Sequence, residues 1–119
     1  MNFTENTEII ELGNGIYARI HKDLTNSGII VGDDSVLVID SLRVPSFAKD
    51  LKSDVKKITD KPIKYVVDTH SHWDHSWGNQ EFLDSTIIGH DNCYDEMTDP
   101  DIIENWRNTL DTSPLWKDA

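Results

Sequence analysis

The chain has one cysteine, no long apolar run and few basic residues. Cys93 stands alone among 119 residues, which excludes an internal disulfide. No stretch approaches the roughly 20 apolar residues that a membrane-spanning helix requires. There are 11 Lys and Arg against 22 Asp and Glu, and the resulting formal net charge of -11 repels phosphate backbones. We therefore expect neither a membrane span nor a nucleic acid partner.

The first residues also lack the features of a secretory leader. Residues 1–6 contain neither a basic n-region nor an apolar h-region. We therefore expect a cytoplasmic protein, although a leader removed ahead of Met1 would leave no trace.

Apolar and β-branched residues recur in short runs that predict strands. The first two runs flank Gly13-Asn14-Gly15, which is typical of a β-hairpin. The next two runs are almost continuously apolar, and this favours central strands covered on both faces. The predicted strands are residues 8–12, 16–20, 27–31, 36–39, 63–67 and 86–88.

Between the strands the spacing of apolar residues changes to three and four, which is typical of amphipathic helices. One such helix starts near Val44 and ends before Pro62, and a short helix is predicted from Ser76 to Phe82. Pro100 favours the start of a last helix. Its apolar face would carry Ile103, Trp106 and Leu110, whereas the acidic residues 91–101 are interpreted as a solvated face and residues 111–119 show no clear element. The order of elements predicts an α/β sheet with helices on at least one face.

Three histidines and one aspartate follow the fifth predicted strand within six positions. They are His70, His72, Asp74 and His75. Side chains alternate along an extended segment, so we expect His70, His72 and Asp74 to converge while Ser71 and Trp73 point away. Imidazole and carboxylate are ligands of zinc and related metals, and the absence of thiolates favours a catalytic site over a structural one. His21 and His90 are interpreted as packed or surface residues.

The segment from His70 to His75 resembles the HxHxDH signature of the metallo-β-lactamase superfamily. The continuation Ser76-Trp77-Gly78-Asn79 is similar to the glycine-containing turn that follows this signature in many members. The resemblance implies the N-terminal half of an αββα sandwich, a mixed sheet with covering helices. It also implies that residues 1–119 are a partial metallo-β-lactamase domain, a fragment whose C-terminal half is absent.

The resemblance further implies a metal-dependent hydrolase that acts on small-molecule substrates. His70 and His72 would bind a first zinc ion, and Asp74 and His75 a second, with iron or manganese as alternative metals. Asp74 would also orient the metal-activated water, so it is the predicted catalytic residue. Asp40 would support the metal loop from behind, although an ordinary aspartate at a strand end explains it equally well. Trp73 and Trp77 are interpreted equally as substrate-pocket residues or as packing anchors.

Several expected ligands are missing after His75. The resemblance implies that a further histidine for the first metal, a bridging aspartate or cysteine, and a last histidine for the second metal come from the C-terminal half of the domain. We therefore expect the 119-residue chain to be inactive alone, with an uncovered apolar sheet face prone to self-association. Two other hypotheses stay open: a non-catalytic metal-binding or self-pairing half-domain, and an iron-dependent oxidoreductase of the same fold. The substrate, whether ester, thioester, lactam or a related compound, is left undetermined by the sequence.

Overall fold

The computed structural model of the protein describes residues 6–112, apart from the side chain of Leu110. Within these residues six strands form one sheet in sequence order, two helices lie in the connections between strands, and two more follow the last strand. The strands are β1 (Thr7–Gly13), β2 (Ile16–His21), β3 (Ser27–Val31), β4 (Val36–Ile39), β5 (Ile63–Val67) and β6 (Thr86–Ile88). The helices are α1 (Pro45–Ile58), α2 (Trp73–Ser76), α3 (Asp91–Met97) and α4 (Pro100–Thr112), with a 3-10 segment at Trp77–Glu81 after α2.

The sheet is mixed, as the sequence predicted. Strands β1 to β4 pair antiparallel, and β4, β5 and β6 pair parallel. Parallel neighbours need a crossover connection, and α1 supplies it between β4 and β5. The six predicted strands are confirmed, with bounds that shift by no more than one residue.

Helix α1 covers one face of the sheet. Its residues Phe47, Ala48, Leu51 and Val55 are buried, in keeping with the predicted spacing of three and four. Pro45 occupies the first turn, where a missing N–H costs nothing, and Lys56 and Lys57 lie favourably near the carboxyl end of the helix. These side chains pack on the sheet residues Ile29, Val36, Val38 and Val66, all fully buried.

The opposite face of the sheet is open among the described residues, so β3 and β4 are covered on one face only, in line with the expected uncovered apolar sheet face. Ile16 and Ile30 are paired neighbours on this face, and they are 45% and 38% exposed. Ile10 and Ile88 lie on the same face and are 37% and 43% exposed. The continuous apolar pattern of these strands thus exceeds what α1 alone covers.

The later helices differ from the predicted ones. The predicted helix from Ser76 to Phe82 is mostly the 3-10 segment Trp77–Glu81, and only Ser76 of this range belongs to α2, which begins at Trp73. Helix α3 was not predicted, and its residues are mostly exposed except for buried Cys93. Helix α4 begins at Pro100 as predicted and extends to Thr112, while residues 113–119 lie outside the described part. No helix in residues 6–112 is long and apolar enough to cross a membrane.

Close backbone packing joins the end of β4 to the segment after α2. The N–H of Ser41 donates to the carbonyl of His75 at 2.9 Å, and the N–H of Gly78 donates to the carbonyl of Leu42 at 2.8 Å. A Cβ atom on Gly78 would overlap the carbonyl oxygen of Ser41 and come within 2.7 Å of its carbon. Only glycine allows this approach, so Gly78 holds α2 against the strand end.

Replacing Gly78 by alanine is expected to destabilise the fold. The added methyl group meets backbone atoms that cannot rotate away, so Gly78→Ala should lower the free energy of unfolding by about 3 kcal/mol. Gly13→Ala is the matched control, because its Cβ would meet nothing closer than 3.9 Å. Chemical denaturation of both variants measures the effect, and equal losses at the two positions would contradict the packing argument.

Candidate metal centre

The predicted ligands lie at the edge of the sheet where the parallel strands β4 and β5 end. Asp40 follows β4 directly, and residues 68–75 follow β5. The N–H of Asp40 donates to the carbonyl of Val67 at 2.8 Å, which joins the two segments. Carboxyl ends of parallel strands are where open α/β sheets bind ligands.

The four predicted ligands come together at this edge. The ring centroid of His70 lies 4.8 Å from that of His72 and 4.1 Å from that of His75. Nε2 of His75 lies 3.5 Å from Oδ2 of Asp74. His70 and His72 are exposed, and the side chains of Asp74 and His75 are 31% and 24% exposed. The cluster is therefore open to solvent.

The backbone route to this convergence differs from the predicted one. The prediction that Asp74 reaches the cluster by alternation along an extended segment is wrong. Residues 69–71 form a bend, and α2 begins at Trp73. An α-helix has 3.6 residues per turn, so two consecutive side chains leave the same turn in different but neighbouring directions. Asp74 and His75 therefore reach the cluster from the first turn of α2, while His70 and His72 reach it from the preceding loop.

Asp40 is the buried carboxylate beneath the cluster, with 7% of its side chain exposed. Its Oδ1 accepts from the N–H of Thr69 at 2.8 Å, and its Oδ2 accepts from the Thr69 hydroxyl at 2.8 Å. The same Oδ2 lies 2.7 Å from Nδ1 of His75. Asp40 has a φ of 64°, a left-handed conformation that aspartate accepts more readily than most residues. The structure thus places Asp40 in contact with the loop and helix that carry the predicted ligands.

These contacts assign the tautomers of two histidines. An ionised carboxylate only accepts hydrogen bonds, so Nδ1 of His75 is the donor to Asp40, and in the neutral ring the lone pair is then on Nε2. The Thr69 hydroxyl donates to Asp40, so its oxygen accepts from Nδ1 of His70 at 2.8 Å. In the neutral rings of His70 and His75 these contacts thus place the proton on Nδ1 and the lone pair on Nε2.

A second buried carboxylate, Asp68, lies just before the loop and is 4% exposed. Its Oδ2 accepts from Nδ2 of Asn79 at 2.7 Å, and Oδ1 has no hydrogen-bond partner within the described residues. Burial raises the pKa of Asp68 to about 6, against the opposing effect of the Asn79 hydrogen bond. Asn79 Oδ1 also accepts from the Ser41 hydroxyl at 2.6 Å, so Asn79 connects both strand ends.

Three tryptophans form an aromatic wall beside the cluster. The rings of Trp73 and Trp77 lie 6.4 Å apart, and those of Trp77 and Trp106 lie 6.0 Å apart, both edge to face. Trp106 of α4 also lies 6.3 Å from the ring of His72. All three indoles are half-buried, so they pack together and still present apolar surface next to a predicted ligand.

The remaining histidines have structural contacts. His21 is buried, and its Nδ1 accepts from the N–H of Asp23 at 3.1 Å. His90 caps α3, because its Nδ1 accepts from the N–H of Asn92 at 3.1 Å. Neither joins the cluster, in agreement with the interpretation from sequence.

Other residues around the cluster were missed by sequence reasoning. Thr25 donates to Asp74, and Arg43 donates to Thr25. Glu96 of α3 accepts a hydrogen bond from the Ser71 hydroxyl. Burial lowers the pKa of Arg43, and the nearby Asp74 carboxylate opposes that shift. All these residues lie far from the histidines in sequence. Only Arg43, a charged residue within an apolar stretch, gave a signal that could have marked it.

The donors of the cluster fit a transition metal in their chemistry. Three imidazoles and a carboxylate are the ligand types that zinc prefers in catalytic sites. Among residues 6–112, however, no three His, Cys, Asp or Glu side chains are placed so that they could hold a metal ion as they stand. The residues present thus supply suitable ligand atoms in one neighbourhood but not a completed coordination shell.

Comparison with known proteins places this geometry in a family. A sequence profile of the Metallo-beta-lactamase superfamily matches residues 22–108. A linear primary-alkylsulfatase from Pseudomonas sp is 35% identical over 81 residues, which are 67% of this chain and 12% of that protein. The chain therefore spans a small part of this curated relative.

Solved structures share the fold. A metallo-β-lactamase from Hirschia baltica superposes with a TM-score of 0.66 at 22% identity, over 83% of this chain and 48% of that one. The metallo-β-lactamase FIM-1 from Pseudomonas aeruginosa, in its mono-zinc form, gives a TM-score of 0.68 at 15% identity, over 81% and 46%. The chain thus spans about half the length of these structures. Since the superfamily profile covers most of the chain, the chain belongs to the metallo-β-lactamase superfamily.

Proposed function

We propose that the protein carrying this chain is a metal-dependent hydrolase that uses zinc. His70 and His72 would hold one ion and Asp74 and His75 a second. The observation that carries the proposal is the convergence of three imidazoles and Asp74 directly above Asp40. Superfamily membership gives the reaction class, and the assigned tautomers leave Nε2 of His70 and His75 free for metal.

A bound zinc ion would supply a hydroxide at neutral pH by lowering the pKa of its water, and it would polarise the bond to be cleaved. The chain's own residues would prepare that chemistry. Asp40 accepts from Nδ1 of His75, and through the Thr69 hydroxyl it also orients Nδ1 of His70. The half-exposed carboxylate of Asp74 would accept a hydrogen bond from the attacking water and so orient it.

We propose sulfate esters of linear primary alcohols as the first substrate class to test. The relative that is 35% identical is a linear primary-alkylsulfatase, whereas the lactamase structures at 22% and 15% identity inform the fold alone. The apolar surface of Trp73, Trp77 and Trp106 beside His72 suits an alkyl chain. Carboxylic esters, thioesters and lactams remain the alternatives.

The first test measures turnover of the full-length protein on this substrate panel. We expect a linear alkyl sulfate to be cleaved, the activity to disappear on chelation, and zinc to restore it. Elemental analysis of the purified protein distinguishes zinc from iron or manganese. Turnover that survives complete metal removal would refute the mechanism, and preference for a lactam or thioester would refute only the substrate class.

A histidine pair offers a matched test of the ligands. His70→Ala removes a proposed ligand. Loss of a residue that only supports a ligand weakens metal binding by about ten- to hundredfold, so the zinc affinity of this variant should fall by more than that. His90→Ala removes a histidine that caps α3 and should retain zinc. Competition with a chromophoric chelator measures both, and similar affinities would contradict the assignment.

The supporting role of Asp40 has its own test. Asparagine keeps the size of the side chain but replaces one acceptor oxygen by an NH₂ donor, which faces a donor of Thr69 or His75. Asp40→Asn should weaken zinc binding by about ten- to hundredfold. Exposed Asp60 provides the control Asp60→Asn, which should bind zinc normally. An unchanged affinity in Asp40→Asn would show that the contact does not support the ligands.

The open sheet face favours a second candidate, a half-domain that pairs with another copy. Ile10, Ile16, Ile30 and Ile88 present apolar surface on one side of the sheet. Light scattering on the purified 119-residue chain tests it: a discrete dimer supports pairing, and a monomer or heterogeneous aggregate contradicts it. We expect this chain alone to show no turnover, because the superfamily draws further ligands from the C-terminal half of its domain.

A further inference from the structure

Two side chains from distant segments form a hydrogen-bonded chain that ends on Asp74. The hydroxyl of Thr25, in the loop between β2 and β3, donates to Oδ2 of Asp74 at 3.0 Å. Nη2 of Arg43, in the loop between β4 and α1, donates to Oγ1 of Thr25 at 3.2 Å. Three segments that are far apart in sequence therefore meet at the carboxylate of Asp74.

The direction of these two bonds is fixed by the chemistry of their donors. A guanidinium group only donates, so the Thr25 oxygen must be the acceptor of the Arg43 bond. The single hydroxyl proton of Thr25 is then available to Asp74, whose carboxylate only accepts. Arg43 thus leaves the hydroxyl in the orientation that suits Asp74.

Arg43 is itself held in place. It is 5% exposed, and its guanidinium carbon lies 5.7 Å from the ring centroid of Phe47 and 5.3 Å from that of Trp73. Both distances are within the range of a cation–π contact. Since Trp73 directly precedes Asp74, the same guanidinium also contacts the first turn of α2.

The loop that carries Thr25 is also fixed by local hydrogen bonds. The side-chain oxygen of Asn26 accepts from the N–H of His21 at 3.0 Å, and His21 in turn accepts from the N–H of Asp23. The Ser27 hydroxyl, two residues after Thr25, donates to the carbonyl of Asp40 at 2.9 Å. The loop is thereby attached to the same strand end that supports the histidines.

We infer that Thr25, with its hydroxyl oriented by Arg43, is a positioning residue for Asp74. It does for this carboxylate what Asp40 does for His75, so the two neighbouring ligands of α2 are held by separate partners. The inference rests on the proposed function, because it concerns the orientation of Asp74 toward a metal ion. A carboxylate fixed before the metal arrives loses less freedom on binding, so the hydroxyl should raise metal affinity.

The test compares metal binding by three variants of the full-length protein. Thr25→Val removes the hydroxyl at nearly constant volume, and Thr25→Ser restores it. Thr109→Val is the matched control, because it removes an exposed hydroxyl on α4 that bonds only locally, to the carbonyl of Asn105. Zinc affinity is read by chelator competition, and cobalt substitution reports the coordination geometry through its visible absorption.

We expect Thr25→Val to weaken binding of the ion held by Asp74 by about ten- to hundredfold and to alter the cobalt spectrum. Thr25→Ser and Thr109→Val should match the wild type. Thermal unfolding of the metal-free variants shows whether each one is folded, and rescue by serine separates positioning from a general loss of packing.

The outcomes separate this inference from the proposed function. If the wild-type protein binds metal and folded Thr25→Val binds it with the same affinity and spectrum, the positioning role is overturned while the hydrolase proposal stands. If serine fails to rescue the loss, the hydroxyl is not the cause and the inference is again overturned. If the wild-type protein binds no metal, the proposed function fails and the inference fails with it.

Discussion

The buried carboxylate of Asp40 is the contact on which the arrangement of the site depends. It lies at the end of β4, makes four hydrogen bonds or close contacts with Thr69 and His75, and is almost out of solvent. Burying a carboxylate costs free energy unless its oxygens accept hydrogen bonds, so moving the loop after β5 away from Asp40 would be unfavourable. The requirement to satisfy Asp40 therefore fixes the backbone at Thr69 and the ring of His75 together.

The sheet gives this contact its rigidity. Asp40 and Thr69 follow the neighbouring parallel strands β4 and β5. Helix α1 packs on one face of these strands through its buried residues Leu51 and Val55. Gly78 then allows the segment after α2 to approach the backbone of Ser41 more closely than any other residue would. The candidate ligands are thus carried by a loop and a short helix, but both are anchored to the most buried part of the fold.

The sequence predicted the parts of this structure that depend on local patterns. Strand bounds and the apolar face of α1 follow from period and composition, and the four predicted ligands follow from one short motif. The contacts of Thr25 and Arg43 could not be predicted, because they join residues 49 and 18 positions apart through tertiary structure. Helix α3 was missed for a different reason: it buries little besides Cys93, so it leaves no apolar period to detect.

The described residues leave an apolar face of the sheet open and the ligand set incomplete. The donors among residues 6–112 do not form a full coordination shell, and the exposed isoleucines show that α1 covers one face of the sheet and leaves the other open. A further layer of the kind that the superfamily resemblance implies would meet both needs, if it packed on the sheet and supplied further ligands. Burial of Ile30 and its neighbours would then stabilise the same association that closes the site. Metal binding and packing of such a layer would then strengthen each other, because each becomes more favourable once the other has fixed the geometry.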